Sequence, residues 1–227
     1  MKFLLASCLY SAYAVFIYRI AWRILTLSRQ TPQGDNNGVS RRQTTLSLAK
    51  SIGDILLMSR LFRANTRLWI GEWIFHLSFF LVVLRHLRYV LDPVPEWISA
   101  LQPAGICSGY VLPFSLLYIL ALKIAIEKKR YISSYNFFLL GTLLFMSTTG
   151  LIMRTLLRPD IVQIKVFMIG LFSFAPGAAP GGSMFAAHFI MAFILLVCLP
   201  THIFAAPFSV FSAREREDRL KLLMHGK

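Results

Sequence analysis

The chain has 227 residues, of which 56% are hydrophobic and only 15% charged, and its mean hydropathy is +0.62. A soluble domain is about 45–50% apolar and about 25% charged, so this chain has too little polar surface to cover a water-soluble globule, and lipid is the expected neighbour. The net charge of +14 is not read as a nucleic-acid footprint, because Lys and Arg lie in blocks between apolar runs instead of along one face.

Five stretches reach the roughly 20 apolar residues that a bilayer core demands. They are residues 3–22, 68–90, 105–126, 135–157 and 184–207. In the first, Ser11-Ala12-Tyr13-Ala14 has the look of a signal-peptidase site, but the apolar run continues to Trp22. A retained membrane helix is therefore expected there. The connection 23–67 opens with a turn-forming stretch, Thr31 to Gly38, and closes with an amphipathic segment at about 45–62 that suits a membrane interface or a partner. The apolar piece Val166 to Ala175 is too short to span. The Pro- and Gly-rich run Pro176 to Gly182 after it reads as a loop or re-entrant lip.

Lys and Arg number eight from Arg23 to Arg67, three in Lys128-Lys129-Arg130 and five from Arg214 to Lys227. The connections on the opposite side carry almost none. The positive-inside rule then places the N-terminus outside and the C-terminal tail, 208–227, in the cytoplasm. The expected fold is an all-α integral membrane protein, a multi-pass bundle of five transmembrane helices forming a single domain.

The cysteines, Cys8, Cys107 and Cys198, are far apart, with no C-x-x-C or C-x-x-C-H spacing. A disulfide framework, an iron–sulfur cluster and a covalently attached haem all lack ligands in this chain.

The histidines carry the chemistry. His76 and His86 lie in the second span, about 15 Å apart along the axis and about 80° apart around it. His188 and His202 lie in the fifth, about 21 Å and about 40° apart. The two spans are expected to be antiparallel, so His86 meets His188 at the outer level and His76 meets His202 at the inner one. Imidazole pairs at two depths suit the axial ligation of two haems and electron transfer between the membrane faces. A proton or metal path, or helix packing, remains the alternative use of such residues.

Trp73-Ile74-Phe75-His76 with His86, and Ala187-His188 followed by Leu199-Pro200-Thr201-His202-Ile203-Phe204, resemble the cytochrome b (gamma) subunits of respiratory nitrate reductases. Related subunits occur in heterodisulfide-reductase-like and sulfur-cycle respiratory membrane complexes. The resemblance implies two haems b, His86 and His188 as outer ligands and His76 and His202 as inner ones, and quinone or quinol as substrate on the outer side. It also implies a cytoplasmic iron–sulfur partner subunit with further subunits of a respiratory complex, in the inner (cytoplasmic) membrane. The chain departs from the family in two ways. His188 and His202 stand about one turn, roughly 6 Å, closer together, and the outer lysine of the family has no counterpart after His86.

Arg85 and Arg88 flank His86 and are candidates for the haem propionates. Arg154, Arg158, Gln163 and Lys165 are quinone-site candidates, as donors beside an apolar slot. Gly141, Thr148, Thr149 and Gly150 give the fourth span small residues for close approach. The competing functions are a haem-free histidine-bearing transporter or proton path, and a membrane anchor with structural haem only.

Overall fold

The computed structural model describes residues 2–30, 52–127, 134–201 and 224. Its described elements are helices and turns. In chain order they are α1 (Lys2–Gln30), α2 (52–56), α3 (Ser59–Ala64), α4 (Thr66–His86), α5 (Glu96–Ala100), α6 (Gln102–Glu127), α7 (Ser134–Ile152), α8 (Ile161–Phe172) and α9 (Ser183–Thr201). A 3₁₀ turn, Leu87–Tyr89, extends α4, and a π turn, Met153–Leu157, extends α7.

Five helices are long and apolar enough to cross a membrane, at Lys2–Thr26, Thr66–Tyr89, Gln102–Ala125, Ser134–Leu157 and Ser183–Thr201. These are the expected spans within a few residues, except that the expected end of the last, 202–207, lies outside the described residues. Outside them too lie the turn-forming stretch 31–38, the basic block 128–130 and the tail except Met224. Hydroxyl side chains inside the spans bond back to their own helix, Thr142 to the Phe138 carbonyl and Ser147 to that of Leu144, both at 2.9 Å. In lipid no water offers an alternative, so these hydroxyls are satisfied within their own helix.

The chain divides into two compact units. The smaller holds residues 15–69 and 198–227. Here the described part of the amphipathic segment is broken: Met58 takes a left-handed conformation, φ 48°, between α2 and α3. A methionine pays for that backbone with steric strain, and Ser59 bonds the Asp54 carboxylate across the break. Asn65 then caps α4, its side chain accepting from the Leu68 amide at 3.1 Å. The Trp69 indole donates to the Leu57 carbonyl at 2.7 Å, and its ring meets Phe62 edge-on.

The larger unit holds residues 1–14 and 70–197. Its core joins Leu5, Ala6 and Ala12 of α1 to Ile164, Phe167 and Leu171 of α8 and to Phe185, Phe189 and Phe193 of α9. The three α9 phenylalanines recur every four residues, which puts them on one face of a helix. Phe185 and Phe189 stack with centroids 5.6 Å apart, and Phe193 meets Phe189 edge-on at 4.6 Å.

The short helix α8 starts earlier than the apolar run alone indicated. Asp160 caps it, accepting from the Val162 amide at 2.9 Å, and so draws Ile161 to Lys165 into the helix. Its far end is closed by Tyr10 of α1, whose hydroxyl donates to the Leu171 carbonyl at 2.9 Å. That bond satisfies one of the carbonyls a helix end leaves open.

Candidate functional site

His86 ends α4 and His188 lies in the second turn of α9. Their ring centroids are 6.4 Å apart and their planes are 16° from parallel. His86 is exposed and His188 half-buried. The phenylalanine face of α9 is turned to α8 and α1, which leaves His188 facing α7.

Each described histidine outside the tail spends the same nitrogen on a carbonyl. His76 Nδ1 is 2.7 Å from the Glu72 carbonyl oxygen, His86 Nδ1 is 2.7 Å from that of Val82, and His188 Nδ1 is 3.0 Å from that of Met146. A carbonyl only accepts, so Nδ1 is the protonated nitrogen in all three. Nε2 is left with its lone pair, the state a metal ligand needs.

An imidazole nitrogen bonds a metal at about 2.0 Å and lies about 1.1 Å from its ring centre, so two rings sharing one ion between them stand about 6.2 Å apart. The His86–His188 centroid separation of 6.4 Å is close to that distance. Among the described residues no cluster of three or more His, Cys, Asp or Glu side chains surrounds an ion position. A two-histidine pair suits a metal that brings its remaining ligands with it, as haem iron does.

The surroundings also fit an anionic cofactor. Arg85 Nε is buried and, among the described residues, has no hydrogen-bond partner. Arg88 and Arg154 are the like charges acting on Arg85, so three guanidinium groups gather at this end of α4. Such a cluster is costly unless an anion joins it, and carboxylates are its natural complement. The Arg85 side chain lies against Gly105 of α6, where a Cβ would come 2.6 Å from Arg85 Cδ.

Beside the arginines is a cavity of about 250 Å³ lined by Arg85, Arg88, Tyr89, Val94, Ile98, Ser99, Gln102, Ile161 and Lys165. Lys165 Nζ is held at 2.8 Å by the Asp92 carboxylate. Of the four quinone-site candidates, Lys165 lines this cavity, whereas Arg154, Arg158 and Gln163 do not. Gln163 sits two residues from Lys165, about 200° round the helix, and is exposed. Arg158 is turned back by its left-handed backbone, φ 44°, and its Nε donates to the Thr155 carbonyl. Ser99 and Gln102 line the cavity without having been anticipated. Their signal in the sequence was faint: two polar residues around α5 in a stretch without basic residues.

His76, half-buried, stands beside an ion pair within the spans. Glu72 of α4 and Lys123 of α6 meet at 3.2 Å, and the other Glu72 carboxylate oxygen is 3.9 Å from His76 Nδ1. His202, its expected partner, lies outside the described residues. The small residues of α7 do not form one surface. Gly150 meets the His188 ring, while Gly141 has open space around it.

The chain is similar to two cytochrome b-like subunits of Hdr-like menaquinol oxidoreductases. It is 27% identical over 151 residues to that of Archaeoglobus profundus and 29% identical over 149 residues to that of Archaeoglobus fulgidus. Each match covers 59% of this chain but 44% and 45% of the relative, so the chain spans about half the length of the relatives it matches. No family model and no solved structure matches it.

Proposed function

We propose that the chain is the dihaem cytochrome b subunit of a menaquinol-linked respiratory complex, passing electrons between the quinone pool and a cytoplasmic iron–sulfur partner. The His86–His188 separation, with both Nδ1 atoms spent on carbonyls, is the observation that carries this reading. His86 and His188 are assigned to the outer haem, His76 and His202 to the inner one. When bound, two bis-histidine haems supply one-electron carriers with no open iron position, which favours electron transfer over oxygen chemistry.

The protein's own groups prepare the site. The carbonyls of Val82 and Met146 hold the two imidazoles in the tautomer that frees Nε2. Arg85 and Arg88, backed by Arg154, are assigned to the propionates. The neighbouring cavity is assigned to the quinone head group, with Lys165, Ser99 and Gln102 as polar contacts alongside Arg85 and Arg88, and Val94, Ile98 and Ile161 as its apolar wall. The relatives' name, which includes menaquinol, supports that substrate. The positive-inside pattern supports an outside N-terminus and a cytoplasmic C-terminus in the inner membrane.

A haem-free proton path is the second reading, favoured by the Glu72, His76 and Lys123 group within the spans. A reduced-minus-oxidised absorption spectrum of the purified protein separates the two. The first reading expects a low-spin b-type signal that menaquinol reduces. A chain purified from a haem-replete membrane without that signal would leave the proton path standing.

A further inference from the structure

We infer that Thr149 of α7 is a positioning residue that sets, through its hydroxyl, how strongly His188 donates to iron; the inference rests on the haem reading above. Thr149 is buried, and its Oγ1 lies 3.1 Å from His188 Nδ1. The hydroxyl hydrogen is already committed to the Met146 carbonyl, at 2.9 Å. What Thr149 offers the histidine is therefore a lone pair. His188 Nδ1 is also 3.0 Å from that same Met146 carbonyl oxygen, so its hydrogen is shared between two acceptors on α7.

The two ligands of the outer site are thus held differently. The His86 Nδ1–H goes to one carbonyl, Val82, on its own helix. The His188 Nδ1–H goes to a carbonyl and a hydroxyl of another helix. A second acceptor draws the hydrogen further, raises the electron density at Nε2 and makes the imidazole a stronger donor. A stronger donor stabilises the oxidised iron and lowers the reduction potential.

Local geometry makes the hydroxyl a fixed acceptor. Threonine is stiff at χ1, and the bond back to the Met146 carbonyl selects the rotamer that turns the oxygen to His188. Gly150, the next residue, clears the space for the ring: a Cβ there would come 3.1 Å from His188 Cε1. Three features within five residues of α7, the Met146 carbonyl, the Thr149 hydroxyl and the bare Gly150 backbone, therefore address one imidazole.

The test is redox potentiometry of the purified cytochrome, with the outer haem identified as the one lost in His86→Ala. Thr149→Val keeps the side-chain volume and deletes the acceptor. It is expected to retain both haems and to raise the reduced-to-oxidised ratio of the outer haem at fixed potential up to about tenfold, which is about 59 mV for a one-electron couple. The inner haem is expected to hold its wild-type potential. Thr149→Ala, also without the hydroxyl, shifts the outer haem in the same direction, and Thr149→Ser restores it. An outer-haem potential in Thr149→Val and Thr149→Ala equal to the wild type overturns the inference, and so does a Thr149→Ser protein that behaves like the valine variant. A wild-type protein without haem overturns the underlying reading instead, and is seen before any variant is made.

Discussion

Glu72 and Lys123 join α4 to α6 by an ion pair of 3.2 Å within segments long and apolar enough to cross a membrane. Both side chains are largely covered, at 17% and 25% exposure, so removing either one strands its partner in a poorly hydrated place. Glu72→Ala or Lys123→Ala is expected to lower stability by roughly 1–3 kcal/mol, discounted from the cost of breaking a fully buried pair. The double variant should lose less than the sum of the two, which thermal unfolding in detergent measures as a double-mutant cycle.

A sharper contrast comes from two glycines. A Cβ on Gly71 would stand 2.7 Å from a ring carbon of Tyr118 and 3.1 Å from Ile119, both on α6, while a Cβ on Gly141 meets nothing within 4 Å. Gly71→Ala is therefore expected to force α4 and α6 apart and cost about 1–3 kcal/mol. Gly141→Ala should be neutral or stabilise α7 by about 0.5–1 kcal/mol. The same unfolding experiment, run on both, reads the difference in sign.

Gly105→Ala tests the arginine end of the site. The added methyl would displace the Arg85 side chain, which now lies 2.6 Å from the position of that Cβ. Overpacking of this kind costs about 1–3 kcal/mol, and the shift of Arg85 should weaken retention of the outer haem more than that of the inner one. Haem content per chain, measured after extended washing in detergent, checks it.

Lys165 and Gln163 are two residues apart on α8, yet only Lys165 lines the cavity beside Arg85 and Arg88. Lys165→Ala is expected to slow haem reduction by a menaquinol analogue roughly tenfold to a hundredfold, the range for one charged hydrogen bond. Gln163→Ala should reduce at the wild-type rate. Equal rates in all three proteins would remove Lys165 from the quinone assignment.

The sequence made the spans legible because hydropathy is a local property. The juxtaposition of His86 with His188 was legible because the second and fifth spans run antiparallel, which puts the end of one level with the start of the other. What stayed hidden depends on rotational phase between helices distant in the chain. Nothing in Thr149 or Met146 announces that α7 turns them toward a histidine 39 and 42 residues later. The sequence offers Gln163 and Lys165 as equivalent donors, because the extent of α8 turns on the Asp160 cap and residues two apart in a helix lie on nearly opposite faces. Glu72 and Lys123 are isolated charges in apolar runs, and their pairing needs α4 and α6 side by side.

The most direct measurement is the haem content of His86→Ala and His188→Ala beside the wild type, by reduced-minus-oxidised spectra and haem extraction. Two haems b are expected in the wild-type protein, and the same single haem is expected to be lost in each variant with the other retained. Unchanged haem content in both variants, or loss of different haems in the two, would contradict the pairing of His86 with His188 across one iron.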